Sequence, residues 1–83
     1  METAQEQTQT IPEPFDALTA RELQVATRLA IGRTNAEIAD ELDISQNTVD
    51  THRQHVMQKL DARNNVVLAR LALRAGLTTL DGV

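Results

Sequence analysis

Asp43-Ile44-Ser45-Gln46-Asn47-Thr48-Val49-Asp50-Thr51-His52-Arg53-Gln54-His55-Val56-Met57-Gln58-Lys59-Leu60 reads as a turn that enters a helix, followed by the whole of that helix. Ser45 is a good N-cap, because its hydroxyl can accept a hydrogen bond from a backbone N–H that otherwise lacks a partner. Val49, Val56 and Leu60 recur at helical spacing, with Arg53 between them and Met57 beside them, so one stripe faces a core. The other face carries Gln46, Asn47, Asp50, Thr51 and Gln54 at its N-terminal end. These side chains are short to medium in length and all can hydrogen-bond, which suits the reading of base edges in a major groove. A solvated polar face has the same composition, so this helix alone leaves both readings open.

The preceding segment favours base reading. Thr34-Asn35-Ala36-Glu37 is a capping box, in which Thr34 caps a helix and Glu37 reaches back to the Thr34 N–H. Ile38, Ala39 and Leu42 give that helix a short apolar face. It can run for only about eight residues, because Asp43-Ile44-Ser45 starts a new cap at once. Two helices joined by a tight three-residue turn, the second presenting polar residues, follow the helix-turn-helix plan. Ile44 is the expected apolar plug between them. The turn has no Gly, and Asp43 is expected in the left-handed conformation, which Asp tolerates better than most residues.

At this point the sequence resembles a known family. Leu18-Thr19-Ala20-Arg21-Glu22, Gly32, Thr34-Asn35-Ala36-Glu37-Ile38-Ala39, Leu42, Ile44-Ser45, Thr48-Val49, His52, Lys59-Leu60 and Gly76-Leu77 fall in the order and spacing of the LuxR-type (GerE-like) helix-turn-helix domain. Thr48-Val49-Asp50-Thr51-His52-Arg53, followed by Met57-Gln58-Lys59-Leu60, is similar to the FixJ-type response-regulator branch. The resemblance covers roughly Leu18 to Thr78. It implies an all-α, four-helix domain of a bacterial transcription regulator that binds double-stranded DNA as a homodimer. The third helix would enter the major groove and the fourth would pair the subunits. RNA polymerase is a further candidate partner.

Composition sets the outer limits. Eighty-three residues allow one small domain. The absence of Cys excludes disulfides, thiolate metal sites and a catalytic thiol, and fits a cytoplasmic protein. There is no apolar run of membrane-spanning length and no secretion leader, so no membrane association is expected. One Phe, with no Trp or Tyr, argues against stacking on single-stranded nucleic acid. The net charge of −4 is unusual for a DNA binder. However, Glu2, Glu6, Glu13, Asp16 and Asp81 lie outside the resembling stretch and no basic residue does. Without those five acids, eight basic residues stand against seven acidic ones. The acids Glu37, Asp40, Glu41 and Asp43 gather on and just after the second helix. Phosphate neutralisation supplies most non-specific affinity, so a monomer should bind DNA modestly.

Residues 1–14 are polar, acidic and Gln/Thr-rich. They are expected to form a disordered tail or linker, either a natural N-terminus or the linker of a longer response regulator. The domain is expected over 15–79, with 80–83 as a short C-terminal tail. Phe15 should pack onto the domain just before the first helix. Thr19-Ala20-Arg21-Glu22 is a second capping box. Leu23, Ala26, Thr27, Ala30 and Ile31, flanked by Val25 and Leu29, give the first helix a broad apolar face that ends at Gly32. Arg21, Arg28 and Arg33 are expected to be solvated. After the third helix, Asp61 stands where the family usually has Gly. Asn64 or Asn65 should cap a fourth helix, Val66 to Ala75, that Gly76 ends. That helix is apolar on more than one face, which suggests a partner surface as well as a core face. Val67, Arg70, Leu71 and Arg74 are the candidate dimer residues. A C-terminal tail from Leu77 to Val83, folded back over the helix, would be the other use of the surplus.

The family resemblance places Asp50, Thr51 and Gln54 opposite base edges, and Asn47 shares their face. Asp can accept from cytosine N4–H, Thr can touch the thymine methyl, and Gln can bond adenine bidentately. Many family members have Lys at the Asp50 position, whereas the FixJ-type branch has an acid. Asn35, Ser45, Gln46, Thr48, Arg53, Lys59 and Arg63 are candidate phosphate contacts, aided by helix N-termini. His52 and His55 stand three residues apart but have no further ligand at zinc-like spacing, so no metal or other cofactor is expected. No nucleophile–base set is present, so no enzymatic activity is expected. The alternative function is a protein-interaction module, in which the acidic tail and apolar fourth helix hold another regulator and DNA binding is vestigial.

Overall fold

The computed structural model describes residues 11–77. A 3₁₀ turn, Phe15–Ala17, leads into four α-helices: α1 (Ala20–Ala30), α2 (Asn35–Leu42), α3 (Gln46–Leu60) and α4 (Asn65–Ala75). The fold class is all-α. Each helix starts at a side-chain cap. Thr19 and Thr34 form complete capping boxes with Glu22 and Glu37, while Ser45 accepts from the Thr48 N–H and Asn64 from the Val67 N–H. The ends are equally local. Gly32 (φ 97°) follows the last turn of α1, and Gly76 (φ 77°) ends α4 in the left-handed region. Asp43 (φ 58°) and Asp61 (φ 54°) hold that conformation at the ends of α2 and α3.

α1 packs on α3 and α4, and α2 packs chiefly on α3, so α1 is the centre of the bundle. Phe15, Ile38, Leu68, Val25, Val49 and Val56 are fully buried. The core face of α1 is rotated from the one expected. Val25, Ala26 and Leu29 are buried, Leu23 and Ala30 lie at the core's margin, and Ile31 remains 39% exposed. Glu22 is buried on the same face, one turn before Ala26, and faces α3 rather than water.

The stretch expected to be a disordered tail lies mostly outside the described residues. Its last four, Ile11 to Pro14, are described, and the Pro12 carbonyl accepts from the Phe15 N–H at 2.8 Å. Residues 78–83 also lie outside. Leu77 is described; its N–H donates to the Ala72 carbonyl at 2.9 Å and its side chain packs against the core.

Candidate nucleic-acid interface

The turn between α2 and α3 is set residue by residue. Asp43 turns left-handed, and the Ile44 N–H then reaches back to the Ala39 carbonyl at 3.0 Å. Ile44 is half-buried against the core, as its plug role requires. Ser45 returns to extended backbone and caps α3, its Oγ accepting from the Thr48 N–H at 3.0 Å. The Ser45 and Thr48 hydroxyls are 2.8 Å apart and share a hydrogen bond.

α3 has two distinct sides. Val49, Val56 and Leu60 are buried on one side. Asn47, Asp50, Thr51 and Gln54 recur at i, i+3, i+4 and i+7, which places them together on the side facing away from that stripe. Asn47, Thr51 and Gln54 are exposed and Asp50 is half-exposed. Their polar atoms are partly engaged with one another. Gln54 Nε2 donates to Asp50 Oδ2 at 3.0 Å, and Thr51 Oγ1 donates to the Asn47 carbonyl at 3.1 Å. With its hydroxyl hydrogen used, Thr51 has its methyl group and an oxygen lone pair left for a partner. Arg53 Nη1 lies 3.9 Å from Asp50 Oδ1, the outer limit of an ion pair and a weak one at this exposure.

Of the candidate phosphate contacts, Ser45, Gln46, Thr48 and Arg63 are exposed, and Asn35 and Arg53 half-exposed. They lie at the starts of α2 and α3, along α3, and in the α3–α4 connection. Arg53 and Arg63 line one shallow groove with Gln54 and Gln58. Lys59 is placed differently. Its ammonium donates to Glu22 Oε1 at 2.7 Å, tying α3 to the start of α1. A phosphate contact from Lys59 would have to share that ammonium. His55 Nδ1 lies 3.5 Å from Glu22 Oε2, and Glu22 Oε1 also accepts from the Thr19 N–H. The Lys59 hydrogen bond, then the Thr19 N–H, hold the Glu22 carboxyl below its ordinary range against the opposing effect of burial. Nothing in the residue order marks Lys59 as Glu22's partner, because the two are 37 positions apart.

Arg28 and Arg33, expected to be solvated, share one acid. Arg28 Nε meets Glu41 Oε1 at 2.9 Å and Arg33 Nε meets Glu41 Oε2 at 2.8 Å, bracing α1 and the α1–α2 connection against α2. Arg33, and secondarily Arg28, keep the Glu41 carboxyl below its ordinary range. On α4, Leu68 and Ala72 face the core. Val67 and Leu71 are half-buried at the core's edge, and Arg70 and Arg74 are exposed. Among the large apolar side chains of α4, Val66, 63% exposed, and Leu73, 38% exposed, stand out to solvent, and neither was among the candidate dimer residues. Among the described residues no three His, Cys, Asp or Glu side chains gather in metal-binding reach, and no helix is long and apolar enough to cross a membrane.

The comparisons with known proteins bear on this arrangement. The pattern described as "Bacterial regulatory proteins, luxR family" matches residues 16–72. The "Uncharacterized response regulatory protein YgeK" of Escherichia coli K12 is 44% identical over 63 residues, covering 76% of this chain and 43% of that protein. The "Transcriptional regulatory protein UhpA" of the same organism is 53% identical over 55 residues, covering 66% of this chain and 28% of that protein. The "Oxygen regulatory protein NreC" of Staphylococcus carnosus is 40% identical over 65 residues, covering 78% and 30%. The chain thus spans less than half the length of each of these relatives. Among solved structures, full-length FixJ from B. japonicum superposes with a TM-score of 0.70 at 42% identity, covering 77% of this chain and 32% of that one. With the match running from the turn before α1 into α4, the chain belongs to the luxR family of bacterial regulatory proteins.

Proposed function

We propose that this domain is the DNA-binding unit of a transcription regulator, reading double-stranded DNA with α3 in the major groove and pairing with a second copy through α4. The observation that carries the reading is the division of α3. One side is anchored in the core by Val49, Val56 and Leu60, and the far side offers Asn47, Asp50, Thr51 and Gln54 in one row. A helix so anchored presents its polar row on a rigid body, which base reading requires. Ser45, Gln46 and Thr48 at the start of α3, Asn35 at the start of α2, and Arg53 and Arg63 flank the row and supply the backbone contacts. Lys59 adds to these only while still bound to Glu22. The exposed apolar side chains of α4, with Val67, Leu71, Arg70 and Arg74 around them, form the proposed pairing surface.

The test is selection of binding sites by the 83-residue chain from a pool of randomised duplex. The expected outcome is a consensus with two related half-sites, because a symmetric dimer repeats each contact. A consensus with one half-site would remove the pairing. No enrichment and no duplex binding even at low salt would reject DNA recognition and favour the protein-interaction module, to which the net charge of −4 is congenial.

A further inference from the structure

We infer that Asp50 positions Gln54, fixing the Gln54 amide so that α3 prefers adenine over guanine at one base pair of each half-site. The inference rests on the DNA-binding reading above and deepens it. It begins with the 3.0 Å hydrogen bond from Gln54 Nε2 to Asp50 Oδ2. An ionised carboxylate can only accept, so the end of the amide that meets it must be the NH₂ group. Asp50 therefore dictates which end of Gln54 is which. The amide keeps one N–H and the carbonyl oxygen for a partner, and among the described residues Gln54 Oε1 has no hydrogen-bond partner. Asp50 Oδ2 meanwhile accepts from Gln54, and Arg53 stands 3.9 Å from Oδ1, beyond hydrogen-bond reach.

The two purines share the N7 acceptor and differ at the neighbouring edge atom. Adenine offers the N6 amino donor there, and guanine the O6 acceptor. A Gln amide whose second N–H meets N7 and whose oxygen lies over the exocyclic group satisfies adenine twice. Over guanine, the same orientation sets two acceptors against each other. Without the carboxylate the amide is free to swing so that its NH₂ group alone donates to O6 or N7 with its oxygen turned to water, so guanine is penalised less. Holding a long side chain in one rotamer before binding also removes an ordering cost, which is about two- to tenfold in the affinity of the contact made. The i, i+4 spacing makes the pair possible on a helix, where Gln and Asp side chains four residues apart meet.

The experiment is site selection by the 83-residue chain and by Asp50→Ala, Asp50→Asn, Gln54→Ala and the Asp50→Ala/Gln54→Ala double variant, with helicity checked by circular dichroism. Ala and Asn are tolerated on an exposed helical face. Gln54→Ala should erase an adenine preference at one base pair of each half-site. Asp50→Ala should lower adenine over guanine up to about twofold at that same base pair. Asp50→Asn keeps the shape but can donate as readily as accept, so it should relax the same preference, which a steric or purely structural role would not. In the Gln54→Ala background, removing Asp50 should change no preference further. A change at a different base pair, additive effects in the double variant, or no change in preference on losing Asp50 would each overturn the positioning role while leaving DNA recognition intact. Absence of any selected sequence with the unaltered chain would overturn both.

Discussion

Glu22 is the buried charged residue of the described chain, and its surroundings make it the most exacting single position. It serves the cap of α1 through the Thr19 N–H and joins α3 through Lys59 and His55. Glu22→Gln keeps an acceptor for the cap but loses the charge that Lys59 meets. Lys59 is 38% exposed, so its ammonium is not stranded by the change. The expected cost is that of a charge-assisted hydrogen bond, about 1–3 kcal/mol, seen as a melting point lower by about 4–8 °C per kcal/mol. The pH dependence follows from the direction of the shift. The folded Glu22 carboxyl titrates below its ordinary 4.5. Its contribution is therefore complete above that value and lost as pH falls through the lower folded one. Melting curves from neutral pH into the acid range should show the unaltered protein losing more stability than Glu22→Gln below about pH 4.5. Parallel loss in both proteins would mean that another acid governs the acid limb.

At the level of the helices, α3 and α4 each invite one substitution. α3 ends at Asp61, a non-glycine residue with φ 54°. An acid there also meets the negative end of the helix dipole. Asp61→Gly removes left-handed strain of about 1 kcal/mol and a dipole penalty of about 0.3–1 kcal/mol. Against this stands about 0.4–1 kcal/mol of extra freedom in the unfolded chain. A net gain of about 0.3–1.6 kcal/mol is expected, so among Asp, Ala and Gly at this position Gly should melt highest. A lower melting point for Asp61→Gly would show that Asp61 is unstrained. On α4, the pairing surface has to be tested at the right valine. Val67 packs against the core's edge, so Val67→Glu would perturb the fold and the partner surface together. Val66 is 63% exposed and lies in the first turn of α4, where an acid suits the helix dipole. Val66→Glu should leave the stability of the fold within about 0.5 kcal/mol of the unaltered chain while weakening self-association in sedimentation. A dimer of unchanged strength would take Val66 out of the interface.

The whole molecule carries its charge unevenly. Of eight basic residues, Arg28 and Arg33 are held by Glu41 and Lys59 by Glu22, so three of the positive charges are committed inside the domain. The candidate phosphate contacts that remain are mainly neutral hydroxyls and amides, with Arg53 and Arg63. Few counterions should then be released on binding. The logarithm of the duplex binding constant should fall with the logarithm of salt concentration with a slope of about −2 per monomer. A titration at several salt concentrations checks it. A steeper slope would mean that committed cations, Lys59 first among them, leave their internal acids for phosphates.

The local devices of the fold were legible in the residue order, because they act over three or four residues. Thr19 with Glu22, Thr34 with Glu37, Ser45 and Asn64 start the four helices, and Asp43, Gly32 and Gly76 turn the chain as their types suggested. The buried stripe Val49, Val56 and Leu60 was equally visible as a period. The Asp50–Gln54 pair follows from its i, i+4 spacing, although each residue by itself also suits a separate base contact. What needed tertiary structure was every choice between faces that the sequence leaves equivalent. α4 is apolar nearly all round, and only its docking on α1 decided that Leu68 and Ala72 go inside and Val66 stays out. On α1 the docking buries Val25 and Leu29 and leaves Ile31 out, and it brings Glu22 to Lys59 across the bundle. Such pairings depend on how helices cross, and a helix carries no record in its own residues of which distant side chain will neutralise its charge.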